Sequence, residues 1–169
     1  TITAKAQFGN VNNISYWYVD GLALLPKGIT TFVPGLSIYG FGGGAYCNMR
    51  QERMRPVQFV SNREVGDLTN PMVSPSGIRY VPDASGMMGF KARTILGTTG
   101  ESTLVNGDVE LEMSFNKEGG IKLVNLRGQA RLMSKMEMEN KTPPSTYGEL
   151  DMYYDVDNKT LHGTAQVFM

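Results

Sequence analysis

Polar and apolar residues alternate with a period of two through much of the second half of the chain, the repeat of a strand buried on one face rather than of a helix. In Asp108-Val-Glu-Leu-Glu-Met-Ser-Phe115 the apolar side chains Val109, Leu111, Met113 and Phe115 share one face. A turn signal follows at 116–120, then a return segment ending in Leu126-Arg-Gly-Gln-Ala-Arg-Leu-Met133. The arrangement recurs as Glu149–Val156, a turn at Asp157-Asn-Lys159 and a return at Leu161–Phe168. Leu126, Gly128 and Ala130 match Leu161, Gly163 and Ala165, so 108–133 and 149–168 read as two copies of one hairpin. The outgoing arms put Val109, Leu111, Met113, Leu150 and Met152 on the apolar face. The return arms put Gly128, Ala130, Gly163 and Ala165 on it, so that large packs beside small. This face is expected to be the packing or ligand-binding surface. On the other face Glu110 and Glu112 would lie across from Arg127, Gln129 and Arg131, each opposite-charge pair contributing about 0.2–1 kcal/mol. That charged side is expected to be solvated.

Upstream, the pattern predicts strands over 2–8, 14–25, 36–39 and 88–96 and turns at Pro26-Lys-Gly28 and Pro34-Gly35, while 45–54 fits either one short helix or an exposed connection. Residues 56–86 form a polar excursion holding only short strands at 57–60 and 78–81, and 140–146 reads as a polar loop. Ile2–Phe8 fits the return arm, which predicts that the chain begins halfway through a hairpin and is a segment of a longer protein. The expected fold is all-β: antiparallel hairpin repeats in an extended, solenoid-like or groove-like sheet, with 1–169 one domain or segment.

Charge and composition then remove whole classes of function. Sixteen basic and sixteen acidic residues cancel, which argues against a nucleic-acid partner. Cys47 is the sole cysteine and reads as a small buried hydrophobe, and no apolar run is long enough for a spanning helix. His162, the sole histidine, takes the position of Arg127 and reads as a polar strand residue. Gly40-Phe-Gly-Gly-Gly-Ala45 satisfies a loose dinucleotide pattern, but no strand–helix alternation surrounds it. It reads instead as a strand making room for Tyr16, Trp17 or Tyr18. Asp155, Asp157 and Asn158 are weak candidates for a cation because hard ions take clustered carboxylate and amide oxygens, although a turn uses the same residues. No cofactor and no catalytic residue is expected. A compact pocket gathering Asp20, Asp83 or His162 with a second titratable group would reopen the question of an enzyme.

The run Tyr16-Trp-Tyr-Val-Asp-Gly-Leu-Ala-Leu-Leu-Pro-Lys-Gly-Ile29, with Tyr39–Tyr46 and Tyr154–Gly163, resembles interior stretches of very large, repetitive β-rich secreted or envelope proteins of the Bacteroidetes type, whose role is unknown. The resemblance implies a bacterial cell-envelope or extracellular placement. The leading expectation is a non-catalytic structural or scaffold module, partnered by neighbouring repeats of a longer chain or by other subunits. A carrier holding an apolar ligand such as lipid on its open sheet face is the alternative. A piece of an outer-membrane barrel would need its apolar side chains pointing outward, and the charged strand faces and irregular middle count against it.

Overall fold

A computed structural model of the chain describes residues 1–52, 74–75, 79–84, 88–100, 104–132 and 146–168. Ten strands are present among them: β1 (Ile2–Val11), β2 (Ile14–Thr30), β3 (Leu36–Cys47), β4 (Met49–Glu52), β5 (Arg79–Pro82), β6 (Met88–Thr98), β7 (Val105–Phe115), β8 (Ile121–Leu132), β9 (Thr146–Asp155) and β10 (Thr160–Phe168). Eight of them form one antiparallel sheet in the order β1-β2-β3-β6-β7-β8-β9-β10, not closed into a barrel, and β4 and β5 pair separately. Sheet order follows chain order, as tight turns between neighbouring antiparallel strands allow. Asn12 and Asn13, with φ of 51° and 63°, make the two-residue turn from β1 to β2, and asparagine tolerates that left-handed pair.

The all-β expectation holds, and the described parts of the two expected hairpins, 108–132 and 149–168, lie side by side as β7–β8 and β9–β10. Two local expectations fail. No helix forms over the described part of 45–54, residues 45–52: Ala45–Cys47 complete β3, Asn48 bends the chain with a φ of 53°, and Met49–Glu52 form β4. Tyr46 at the end of β3 and Met49 at the start of β4 are both buried in one cluster with Tyr16, Tyr18 and Tyr80, which holds the chain against the sheet on either side of the bend. Pro26-Lys-Gly28 is no turn but an irregularity inside β2, where the register to β3 shifts between Leu24 and Ile29. Pro26 has no N–H for the ladder, so the strand bulges there and resumes. The turn at Pro34-Gly35 is where the sequence places it, with Gly35 at a φ of 81°. The strand expected at 57–60 lies outside the described residues, as does the loop at 140–146 except Thr146, which opens β9.

The largest departure is which side of the sheet is buried. Asp20, Lys91, Arg93, Glu110 and Glu112 are each 5 % exposed or less. Phe8 is 72 % exposed, Phe41 54 %, Phe90 43 % and Leu111 41 %. The charged face expected to be solvated is the interior.

Candidate functional site

Register converts that inversion into named rows. One row across the interior runs Lys5, Asp20, Gly44, Lys91, Glu112, Asn125, Tyr153, His162, and the next runs Thr3, Leu22, Gly42, Arg93, Glu110, Arg127, Asp151, Thr164. Basic positions on β6 and β8 therefore alternate with acidic ones on β7 and β9. Ion pairs follow: Arg93 to Asp108 at 3.2 Å, Arg127 to Glu110 at 3.6 Å and to Asp151 at 3.9 Å, and Arg131 to Asp108 at 3.5 Å. Gln129 extends the chain of contacts by donating to Glu149 at 3.2 Å while accepting from Arg131.

The most deeply buried part lies where the β4–β5 hairpin meets β2 and β3. Lys91 Nζ sits 3.2 Å from Asp20 Oδ2, with both side chains fully buried. Glycine makes this pair possible, because Gly44 stands between the two in the row and a Cβ there would lie 2.9 Å from Asp20 Oδ2. Tyr80, carried in by β5, donates to Asp20 at 3.4 Å and stacks on Tyr18 with ring centroids 4.7 Å apart. Tyr46 lies across Gly89, where any side chain would run into its ring, and donates to Glu112 at 2.5 Å. Tyr16 covers Gly9 in the same manner. The glycine run at 40–44 does not make room for Tyr16, Trp17 or Tyr18, since it lies against Asp20, Leu22 and Leu24, yet glycine does make room for bulky neighbours elsewhere. Its beneficiaries are an ion pair and Tyr46 as well as Tyr16, and the glycine partners of the tyrosines, Gly9 and Gly89, lie outside the glycine run.

Burial sets the proton affinities. It pushes the Glu112 carboxyl above its usual range against the opposing hydrogen bond from Tyr46, and pushes the Lys91 ammonium below its own against nearby Glu110 and Asp20. Tyr18 is raised to about 12, first by burial and then by the charge of Asp20, and burial raises Tyr46 and Tyr80 further. These groups resemble a catalytic cluster in composition but not in access, since the Asp20 and Lys91 side chains have no exposed surface for a substrate to reach. Asp83 does not join them: it faces Arg50 at 3.9 Å. His162 is exposed on β10, stacked on Tyr153 with centroids 4.6 Å apart.

The opposite face carries the residues expected to form a packing or ligand surface. One row is Ile2, Ala23, Phe41, Thr94, Val109, Gly128, Leu150, Ala165, and the next is Ala4, Gly21, Gly43, Ala92, Leu111, Leu126, Met152, Gly163. Met113 lies one row further, between Phe90 and Val124, and Ala130 pairs with Gly107. These rows hold no charged residue. Aromatics gather toward the end nearest the Asn12-Asn13 turn, where one row reads Phe8, Trp17, Cys47, Met88, Phe115 and its neighbour includes Phe90 and Tyr154. Cys47 is half-buried on this outer face, not in a core, and takes part in no disulfide.

The remaining candidates do not assemble into a cation site. Asp155 accepts from the Asn158 backbone at 3.1 Å and from its side chain at 2.9 Å, so both carboxylate oxygens close the β9–β10 turn. The Asn158 contacts hold the Asp155 carboxyl below its usual range. Among the described residues no group of acidic, histidine or cysteine side chains is placed to hold a metal. Gly40–Gly44 lies within β3, without the helix start that would cradle a phosphate. Comparison with protein-family models, with curated proteins and with solved structures gave no match.

Proposed function

We propose that the chain is a structural wall between lipid and a polar interior: a membrane-facing β-sheet of the outer-membrane type, with no chemistry of its own. The observation that carries this reading is the inversion of the two faces. In water, exposing uncharged rows of Phe, Leu, Val and Ile while burying Asp20, Lys91 and Glu112 runs against the hydrophobic effect and against charge solvation together. In a bilayer both become favourable, because side chains alternate apolar-out and polar-in along each spanning strand.

Three further features support it. The sheet strands run from nine residues in β10 to seventeen in β2, and about 9–11 tilted residues span a bilayer. Ser114 Oγ and Asn125 Oδ1 are buried without hydrogen-bond partners among the described residues, as suits a closed polar interior that holds isolated bound waters. The aromatic end of the apolar face, with Trp17, corresponds to the ring of aromatics found at a membrane–water interface. The charged strand faces that argued against a membrane wall lose their force once they face inward. Edge strands β1 and β10 run antiparallel, so the sheet would close by pairing them or by adding hairpins like 108–133 and 149–168. Envelope placement fits the resemblance drawn from the sequence.

Trp17 is the only tryptophan and sits on the outer face, which makes the test direct. The full chain is refolded with phosphatidylcholine vesicles, and its fluorescence is followed with lipids brominated at different acyl depths. Strong quenching by shallowly brominated lipid, with strand content kept, is the expected result. A chain that stays folded in the aqueous phase and takes up a fatty-acid probe in solution would transfer the reading to the apolar-ligand carrier.

A further inference from the structure

We infer that the cleft at the aromatic end of the sheet binds the phosphate headgroup of an anionic membrane lipid, an inference that rests on the lipid-facing reading above. The cleft opens between the β1–β2 and β7–β8 turns and the root of the β4–β5 excursion. Met88, Phe90 and Phe115 give it an apolar side that is continuous with the outer face, and Phe90 meets Phe115 edge to face at 5.8 Å. Asn13, Asn116 and Lys117 give it a polar side. A lipid presents the same division, with acyl chains for the apolar face and a charged group for the rim.

Charge selects the headgroup. Among the described residues Lys117 is the only charged one lining the cleft, and Glu118, which follows it, is not part of the lining. The site is also held in shape. Asn116 Oδ1 accepts from the Gly120 backbone at 2.7 Å and its backbone pairs with the same turn, which presents Lys117 at the rim. On the opposite wall the Asn48 side chain donates to the Ser15 carbonyl at 2.6 Å, tying the excursion to β2. A short cationic rim above an aromatic floor discriminates between an anionic and a zwitterionic headgroup mainly through the one ammonium, so the expected preference is modest.

The full chain is reconstituted in nanodiscs of phosphatidylcholine alone and of phosphatidylcholine mixed with phosphatidylglycerol, then released into detergent, and retained lipid is counted by native mass spectrometry. Phosphatidylglycerol should be retained over phosphatidylcholine, Lys117→Gln should reduce that preference about fivefold, the worth of one lysine beside an anionic lipid, and inorganic phosphate should not displace it. Insertion without any lipid preference, or a preference that Lys117→Gln leaves unchanged, overturns the cleft while sparing the membrane wall. Displacement by inorganic phosphate at equal effect overturns a lipid in favour of the free anion. Failure to enter either nanodisc overturns the wall and the cleft together.

Discussion

Two parallel rows of the sheet, one on each face, are built on the same plan and meet opposite fates. In the row through Asp20, Gly44, Lys91 and Glu112, glycine stands between charged side chains and lets them close over it out of contact with water. In the row through Val109, Gly128, Leu150 and Ala165, small residues again separate large ones, yet Val109 and Leu150 remain 41 % and 38 % exposed. Large beside small is therefore a rule of packing within either face and carries no information about which face is inside. What distinguishes them is pairing: charges on the interior find partners on adjacent strands, whereas apolar side chains on the outer face stay exposed.

The harshest way to break the contrast is to remove one charge from the interior. Lys91→Ala would leave the buried Asp20 carboxylate without its ammonium, and breaking a buried pair in this way costs about 3–5 kcal/mol. Chemical denaturation in detergent measures it. Replacing both partners, as Asp20→Leu with Lys91→Met, should cost clearly less than the sum of the single changes, because no orphaned charge remains. A loss below about 1 kcal/mol for Lys91→Ala would mean that water reaches the pair and that the interior is not closed.

A charge placed on the outside sharpens the contrast from the other direction. Leu111 lies mid-strand in β7, and Leu111→Lys should cost about 2–4 kcal/mol in a bilayer, where the new ammonium must be desolvated. In aqueous solution an exposed substitution of this kind stays within about 0.5 kcal/mol. Measuring the variant in vesicles against its parent separates a lipid-facing wall from a soluble module, and near-equality in vesicles would count against the wall.

How far the sequence could be read follows from the same contrast. Period-two alternation at 108–115 and 149–156 identifies strands and assigns Val109, Leu111 and Leu150 to one face, since a pleated backbone leaves no other choice. It says that the faces differ, not which one is covered, and the usual preference for apolar interiors then points the wrong way. Signals for the inversion were nonetheless present: Glu110, Arg127 and Asp151 form a line of alternating charge, and the outer rows are free of charge over eight strands. Pro26 misled because proline and glycine mark bulges as readily as turns, and deciding between them needs the register of the partner strand. Tyr80 as a cap on Asp20 had no local signal at all, because its meaning comes from a hairpin that returns to the sheet from far along the chain.

The gentlest probe changes only one proton. Burial raises the Glu112 carboxyl, so the folded state holds that proton to a higher pH than the unfolded chain does. Stability from this group is accordingly complete below its unfolded value near 4.5 and is lost as pH rises through the folded one. Glu112→Gln keeps an acceptor for Tyr46 and removes the titration. The variant should match the parent in acid and gain on it above pH 4.5, by at most about 1.4 kcal/mol per pH unit before levelling off. Lys91 titrates with the opposite sign, its lowered value making stability rise with pH up to about 10.5, so the parent alone would show a partly cancelled slope. Paired denaturation curves across that range isolate Glu112, and a variant that runs parallel to the parent would place the carboxylate in water instead of on the inner face.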